Sequence, residues 1–278
     1  MSRVLYTLAG LLLLVSIASC KKDGVAASPE VSFKLDINNV VELHPAIQKP
    51  YSIAVDYDIL GYYAAVPYNY DLTTKSYPLI VFIPGGGQYG NGSTDLPVLL
   101  NDGMAQLLDE GTFPPSVTVD GKTFSFIVLT PQLTQYPSIQ SLDNFITYAK
   151  KNYRVDTSRI YLAGLSIGGE LIGEVAGYYP SQIAAIVPMS GEATGLDVCA
   201  SIANNKIAVW DFHNSNDPAI SIVESDNFII RINNNNPAIP PRRTIFQAAV
   251  HDSWTAAINP NYKENSMNIY QWMLQYSK

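Results

Sequence analysis

The distribution of apolar and polar residues changes character at Pro78. Upstream of it, short segments of alternating polarity are interrupted by prolines. This favours antiparallel strands at a sheet edge, because proline cannot donate a backbone hydrogen bond. The alternating segments are Val31–Leu35, Tyr51–Val55 and Gly61–Val66, and the prolines are Pro45, Pro50 and Pro67.

Downstream of Pro78, unbroken apolar runs alternate with stretches of helical spacing. Such runs are typical of parallel strands that are buried on both faces. The runs are Leu79–Ile83, Phe124–Leu129, Ile160–Ala163, Ile183–Pro188 and Ile207–Phe212, followed by a last strand at Thr244–Val250. Helices are predicted at Ser141–Tyr153, at Glu170–Tyr179 and near Glu264–Gln275. The alternation predicts one domain with a doubly wound, mostly parallel α/β sheet.

The N-terminus has the order of a secretory signal peptide. Arg3 precedes the apolar stretch Val4–Ile17, which is short for a membrane span, and small residues follow it. The tetrad that ends at Cys20 resembles a bacterial lipobox, in which the cysteine sulfur receives a lipid. We therefore predict a signal peptide over 1–19, a lipidated tether over 20–32 and a catalytic domain over 33–278, in a protein exported and anchored to a bacterial membrane. The alternative is an ordinary signal peptide with an incidental cysteine.

Composition excludes several other classes of protein. The chain has 278 residues, of which 47% are hydrophobic, and a formal net charge of −7 without a basic run. These values favour a large core and make nucleic acid an unlikely partner. The two cysteines, Cys20 and Cys199, cannot form a disulfide framework, and Cys199 is predicted to be a buried small hydrophobe. No pair of histidines or carboxylates has metal-ligand spacing, so neither a metal nor a cofactor is expected.

The segment from Ile160 to Gly169 contains Gly164-Leu165-Ser166-Ile167-Gly168 between an apolar strand and a predicted helix. This Gly-x-Ser-x-Gly context predicts a nucleophile elbow, in which Ser166 lies in a strained turn and needs glycine on either side. The helix that follows presents free N–H groups and a positive dipole end, which stabilise nearby negative charge.

A serine hydroxyl needs a neighbouring base, and the chain offers three histidines. His44 lies far upstream of the elbow and is interpreted as a surface or edge residue. His213 ends an apolar strand, where a histidine more often caps or packs. His251 follows the last predicted strand, where the order serine, acid, histidine places the base. His251 is therefore the predicted general base.

The acid that orients the base should lie in a loop after a strand beyond the elbow. Asp217 occupies such a loop, after the strand that ends at Phe212. Asp211 is a competitor but falls inside the strand. Asp252 is a second competitor but is adjacent to His251 in sequence and cannot easily orient it. We predict Asp217 as the acid.

A glycine run, Gly85-Gly86-Gly87, follows the first buried strand. Glycines let the backbone approach a reacting carbonyl, so this loop is predicted to supply the N–H of Gly86 to an oxyanion hole, with the N–H of Ile167 as its partner. A phosphate-binding loop is the competing interpretation, but the Gly-Lys-Ser/Thr of a P-loop is missing. Trp254 stands close to the base and is a candidate for substrate binding; its alternative role is core packing.

Four segments together resemble the α/β-hydrolase esterases grouped with feruloyl esterase-like, polyhydroxybutyrate depolymerase-like and predicted peptidase proteins. They begin at Tyr77, Arg159, Val209 and His251, and the resemblance extends over roughly residues 60–278. It implies the α/β-hydrolase fold, and it implies catalytic roles for Ser166, Asp217 and His251.

The chain departs from the family pattern at two places. The usual His-Gly of the oxyanion loop is Pro84-Gly85, which could alter the geometry at Gly86. The usual His-Gly before the acid is His213-Asn214, which could shift the Asp217 loop.

The site residues predict ester hydrolysis through an acyl-enzyme. Few residues lie between Ser190 and Ile207, so no large lid is expected, and an open site suits bulky or polymeric substrates. The expected substrate is a small-molecule or polysaccharide ester, such as an acyl or feruloyl ester. Two alternatives stay open at this point. One is a serine peptidase that uses the same residues, and the other is a non-catalytic surface-binding lipoprotein that keeps the fold.

Overall fold

The computed structural model describes residues 41–278. The predicted signal peptide, the lipidation site at Cys20, the tether and the strand at Val31–Leu35 lie outside the described residues.

An eight-stranded sheet forms the centre of the described part of the chain. Its strand order is β1-β2-β6-β3-β7-β8-β9-β10. Strands β1 and β2 pair antiparallel at one edge, and every neighbouring pair from β6 to β10 is parallel. A separate hairpin pairs β4 with β5. The strands are β1 Ile47–Tyr51, β2 Ile59–Val66, β3 Tyr77–Ile83, β4 Val117–Val119, β5 Lys122–Phe124, β6 Ile127–Leu133, β7 Val155–Leu165, β8 Ala185–Met189, β9 Ala208–Asn214 and β10 Arg242–Phe246.

Helices cover both faces of the sheet. The helices are α1 Gly103–Asp109, α2 Ile139–Asn152, α3 Ile167–Tyr178, α4 Leu196–Asn204, α5 Ile222–Asn233, α6 Trp254–Ile258 and α7 Ile269–Met273. Apolar residues of α2 to α5 pack in one core layer, and those of α1, α6 and α7 pack in the other. Successive side chains of β3 point into opposite core layers: Val81 packs in the layer with α2 to α5, and Phe82 packs in the layer with α1, α6 and α7. A strand buried on both faces favours apolar residues on both of its faces, which explains the apolar runs in the sequence.

The predicted α/β-hydrolase architecture is confirmed, with its mostly parallel sheet, antiparallel edge and small connections. Between β8 and β9 the described chain carries one helix, the nine-residue α4, and no lid domain. In residues 41–278, none of the helices combines the length and hydropathy that crossing a membrane requires. The same residues contain no group of three or more His, Cys, Asp or Glu side chains arranged to hold a metal ion.

Two predicted strands have different limits in the structure. The apolar run Phe124–Leu129 is divided, because Phe124 ends the β4–β5 hairpin and β6 begins at Ile127. Asp120 and Gly121 both have positive φ at the hairpin turn, as Asp-Gly turns often do. The predicted segment Tyr51–Val55 is also wrong in its limits, since the edge strand β1 ends at Tyr51.

The C-terminal predictions are corrected in a similar way. The last strand stops at Phe246 rather than Val250. The predicted helix over 264–275 shortens to α7, because Asn265 and Ser266 have positive φ in a tight turn. Asn268 then caps α7 by accepting a hydrogen bond from the backbone N–H of Gln271.

Candidate active site

Ser166 lies between β7 and α3 in a strained backbone conformation, with φ 54° and ψ −123°. Two close approaches explain why glycine flanks it. A Cβ at Gly164 would lie 2.3 Å from the carbonyl oxygen of Gly168, and a Cβ at Gly168 would lie 2.2 Å from that of Ile83. Larger residues there would push α3 away from the sheet. The geometry is that of the predicted nucleophile elbow.

The structure brings the three predicted catalytic side chains together in one line. His251 Nε2 lies 2.9 Å from Ser166 Oγ, and His251 Nδ1 lies 2.7 Å from Asp217 Oδ2. An ionised carboxylate can only accept, so the proton of neutral His251 belongs on Nδ1. The Nε2 lone pair then faces Ser166 and can accept its hydroxyl proton.

Asp217 is held by its own loop. Its side chain is fully buried, and Oδ1 accepts hydrogen bonds from the backbone N–H groups of Ala219 and Ile220. Burial alone would raise the pKa of the Asp217 carboxyl, but the hydrogen bonds from His251 and from these two N–H groups leave its pKa below the ordinary value. An ionised Asp217 is the form that stabilises a protonated His251.

His213 supports this loop from inside the sheet. It is fully buried in β9, and its Nε2 donates to the carbonyl oxygen of Ile220 at 3.0 Å. The same nitrogen lies 3.6 Å from Asp217 Oδ2. His213 is therefore a packing residue, as the sequence suggested, and it also holds the strand end against the acid loop.

The loop that carries His251 is fastened by residues that sequence reasoning did not identify. Asn214 donates its side-chain amide to the carbonyl oxygen of Val250 at 2.8 Å. Ser190 donates to the carbonyl oxygen of His251 at 2.8 Å and exchanges a hydrogen bond with Ser253. The departure from the family pattern at Asn214 thus adds a link to the histidine loop, and Asp217 still reaches the base.

The other histidine and aspartates considered as base or acid do not join the hydrogen bonds between Ser166, His251 and Asp217. His44 is exposed and packs its ring against Tyr68, with centroids 4.7 Å apart. Asp252 is exposed and accepts from the backbone N–H of Thr255. Asp211 is buried in β9 and accepts from the hydroxyl of Ser225. Outside the site, Cys199 is buried as predicted.

Asp211 makes stability depend on pH. Burial raises its pKa from 3.8 to about 6, so the folded chain keeps this proton to higher pH than the unfolded chain. The stabilisation that protonated Asp211 gives the folded chain is fully present below the pKa of the unfolded chain. It is lost as pH rises through the pKa of the folded chain. Asparagine does not titrate, so Asp211→Asn lacks this dependence on pH. The free energy of unfolding of the variant, relative to that of wild type, should therefore rise by about 2 to 3 kcal/mol between pH ~4 and pH ~8. Urea unfolding of both proteins at both pH values measures this difference, and an equal difference at the two values would contradict it.

The two predicted oxyanion donors are neighbours. A Cβ built on Gly86 would lie 3.0 Å from Ile167 Cδ1, and one on Gly85 would lie 3.5 Å from Ser166 Cβ. The glycine loop therefore passes directly over the nucleophile. Ile167 is the first residue of α3, where a backbone N–H has no partner within the helix. Both N–H groups stay predictions for the oxyanion hole, and the substitution at Pro84 leaves Gly86 beside Ile167.

A cavity of about 210 Å³ opens between the glycine loop and the histidine loop. It is lined by Gly85, Gly86, Gly87, Gln88, Asp102, Leu165, Ser166, His251 and Trp254. Trp254 borders this cavity but is 7% exposed, and its ring stands edge-on to His251 with centroids 5.1 Å apart. Its Nε1 donates to Asp102 Oδ1 at 2.6 Å. Trp254 therefore packs behind the base as well as forming part of the cavity wall.

Comparisons with known proteins identify partial relatives of the chain. No protein-family model matches the chain. The bifunctional acetylxylan esterase/xylanase XynS20E of Neocallimastix patriciarum is 30% identical over 90 residues, which cover 32% of this chain and 13% of that protein. The chain spans between 13% and 22% of the length of the curated relatives it matches.

Solved structures extend the likeness to most of the chain. A thermostable esterase aligns with a TM-score of 0.58 and 19% identity, covering 84% of this chain and 63% of its own. A ferulic acid esterase aligns with a TM-score of 0.54 and 15% identity, covering 76% of this chain and 93% of its own. The chain therefore has the α/β-hydrolase fold, and the predicted resemblance to esterases of that fold is confirmed.

Proposed function

We propose that the chain is a serine esterase that hydrolyses carboxylic esters through an acyl-enzyme on Ser166. The observation that carries this proposal is the hydrogen-bonded line from Ser166 through His251 to the buried Asp217, which ends at a cavity. A buried, ionised acid behind a histidine is what a serine hydroxyl needs to act as a nucleophile at neutral pH.

In the proposed reaction, Ser166 Oγ attacks the ester carbonyl carbon while its proton moves to His251 Nε2. The carbonyl oxygen becomes an oxyanion, which the backbone N–H groups of Gly86 and Ile167 stabilise. His251 then gives its proton to the departing alkoxide, and the acyl group stays on Ser166. Water, deprotonated by His251, attacks the acyl-enzyme and releases the carboxylic acid and free serine.

Acyl esters on polysaccharides are the proposed substrate class, with feruloyl esters as a further possibility within it. Two observations support this choice: the partial similarity to an acetylxylan esterase and the fold shared with a ferulic acid esterase. The connection between β8 and β9 contains the nine-residue α4 and no lid domain, and a site without a lid suits a polymer.

A substrate panel tests the proposal and its alternatives. The purified protein should hydrolyse p-nitrophenyl acetate and acetylated xylan, and it should leave peptide p-nitroanilides unchanged. Hydrolysis of the anilides at comparable rates would favour the serine peptidase. A folded protein that hydrolyses none of these substrates would favour the non-catalytic surface-binding lipoprotein.

Export and anchoring through Cys20 form a separate part of the proposal, supported by the signal-like N-terminus. In a bacterial host, an alkyne fatty acid should label the full chain and should not label Cys20→Ser. Equal labelling of the two proteins would refute the anchor without affecting the esterase proposal.

A further inference from the structure

One acidic residue, Asp102, lines the cavity beside Ser166. Apart from Asp102 and the catalytic His251, the cavity wall consists of glycines, Gln88, Leu165, Ser166 and Trp254. The wall thus contains no lysine or arginine that could neutralise Asp102. The proposed catalytic steps of Ser166, His251 and Asp217 do not require a charged residue at this position.

Asp102 is held in a fixed orientation. Its Oδ1 accepts from the indole N–H of Trp254 at 2.6 Å and from the backbone N–H of Gly103 at 3.0 Å. Trp254 is buried, and its indole packs edge-on against His251. The carboxylate is therefore fastened to the catalytic base through one buried indole, so it cannot swing away from the cavity without breaking that contact.

The course of the proposed reaction indicates which part of the substrate lies next to Asp102. The leaving alkoxide must receive a proton from His251, whose side chain is 25% exposed, and then depart into solvent. The acyl group stays bound to Ser166 and must occupy space beside it. The partly open cavity of about 210 Å³ next to Ser166 provides such space, and the acyl group is assigned to it.

We propose that Asp102 determines acyl specificity: it excludes esters whose acyl chain carries a carboxylate and thereby restricts the enzyme to uncharged acyl groups. The inference rests on the proposed esterase function. Two like charges a few ångströms apart in a partly buried site repel each other far more strongly than in water. A half-buried carboxylate with no lysine or arginine in the cavity wall therefore opposes the binding of an anionic acyl group.

The test compares two ethyl esters with acyl chains of equal length, ethyl butyrate and monoethyl succinate, and follows the release of ethanol. Ethyl esters are used because the free carboxylate of an aryl succinate would expel the phenol without the enzyme. Each kcat/KM is divided by the rate constant for alkaline hydrolysis of the same ester, which removes intrinsic reactivity. Wild type should prefer the butyrate by about 100-fold or more, and Asp102→Asn should reduce this preference at least about 10-fold. Asparagine keeps an oxygen that can accept from Trp254, so the wall retains its shape.

Two variants serve as controls. Asp102→Glu keeps the charge and should keep the preference. Asp252→Asn removes an equal charge from an exposed position next to His251 and should change the preference less than about 3-fold, because solvent screens it.

A wild-type enzyme that takes the succinyl ester as readily as the butyrate would overturn the inference, even if Asp102→Asn failed to fold. An unchanged preference in a folded Asp102→Asn would also overturn it. Neither result affects the esterase proposal, which fails separately if wild type hydrolyses neither these esters nor p-nitrophenyl acetate.

Discussion

Replacing Ser166 with alanine is expected to lower kcat for p-nitrophenyl acetate by about 10⁴-fold or more. In the proposed mechanism this hydroxyl forms the acyl-enzyme, and Ser166 Oγ lies 2.9 Å from His251 Nε2. Without it, only the oxyanion donors and the cavity remain to assist attack by water. Steady-state kinetics at saturating ester measure the loss.

A matched control is Ser253→Ala. Ser253 is buried near the base and bonds to Ser190, yet it does not contact Ser166 Oγ in the structure. Ser253→Ala should lower kcat by less than about 10-fold, because the loop that carries His251 would shift only slightly. A Ser166→Ala enzyme with a rate similar to that of Ser253→Ala would mean that another group is the nucleophile.

Asp217→Asn should produce the second largest loss, about 10³- to 10⁴-fold in kcat. The asparagine side chain can present an N–H to His251 Nδ1, which favours the tautomer with its proton on Nε2. That tautomer cannot accept the Ser166 proton. The Asp217→Asn variant also lacks the negative charge that stabilises protonated His251. The rate is measured on p-nitrophenyl acetate at neutral pH.

Asp252→Asn distinguishes this effect from a general loss of charge near the base. Asp252 is adjacent to His251 in sequence but is exposed, and its recorded hydrogen bond is to the backbone of Thr255. Its replacement should change kcat less than about 3-fold. If Asp252→Asn were the damaging variant and Asp217→Asn were mild, the assignment of the acid would be wrong.

The parts of the fold that were predictable are those encoded in local patterns. The strand β3, and β7 from Ile160 onward, are apolar at successive positions because both of their faces are covered, so their runs stand out in the sequence. The limits were less predictable where a turn interrupts an apolar run. The Asp120-Gly121 turn removes Phe124 from β6, and the turn at Asn265-Ser266 shortens the final helix.

The site shows the same division. Ser166 could be predicted as the nucleophile because the elbow is a local motif, and His251 could be predicted as the base because only three histidines had to be weighed. The groups that position them depend on tertiary contacts. Asp102 and Trp254 are 152 positions apart in the chain, and Asn214 reaches Val250 across 36. No local pattern joins such pairs, although an Asn in the place of the usual glycine after His213 was a signal that this loop differs.

Trapping the acyl-enzyme is the measurement on which the mechanism depends. The protein is mixed with p-nitrophenyl acetate, quenched in acid within the first turnover and digested for mass spectrometry. We expect one acetyl group on the peptide that contains Ser166, and none on the corresponding peptide of Ser166→Ala. An active wild-type enzyme that carries the acetyl group on a different residue, or carries none under conditions where deacylation is slow, would contradict catalysis by Ser166.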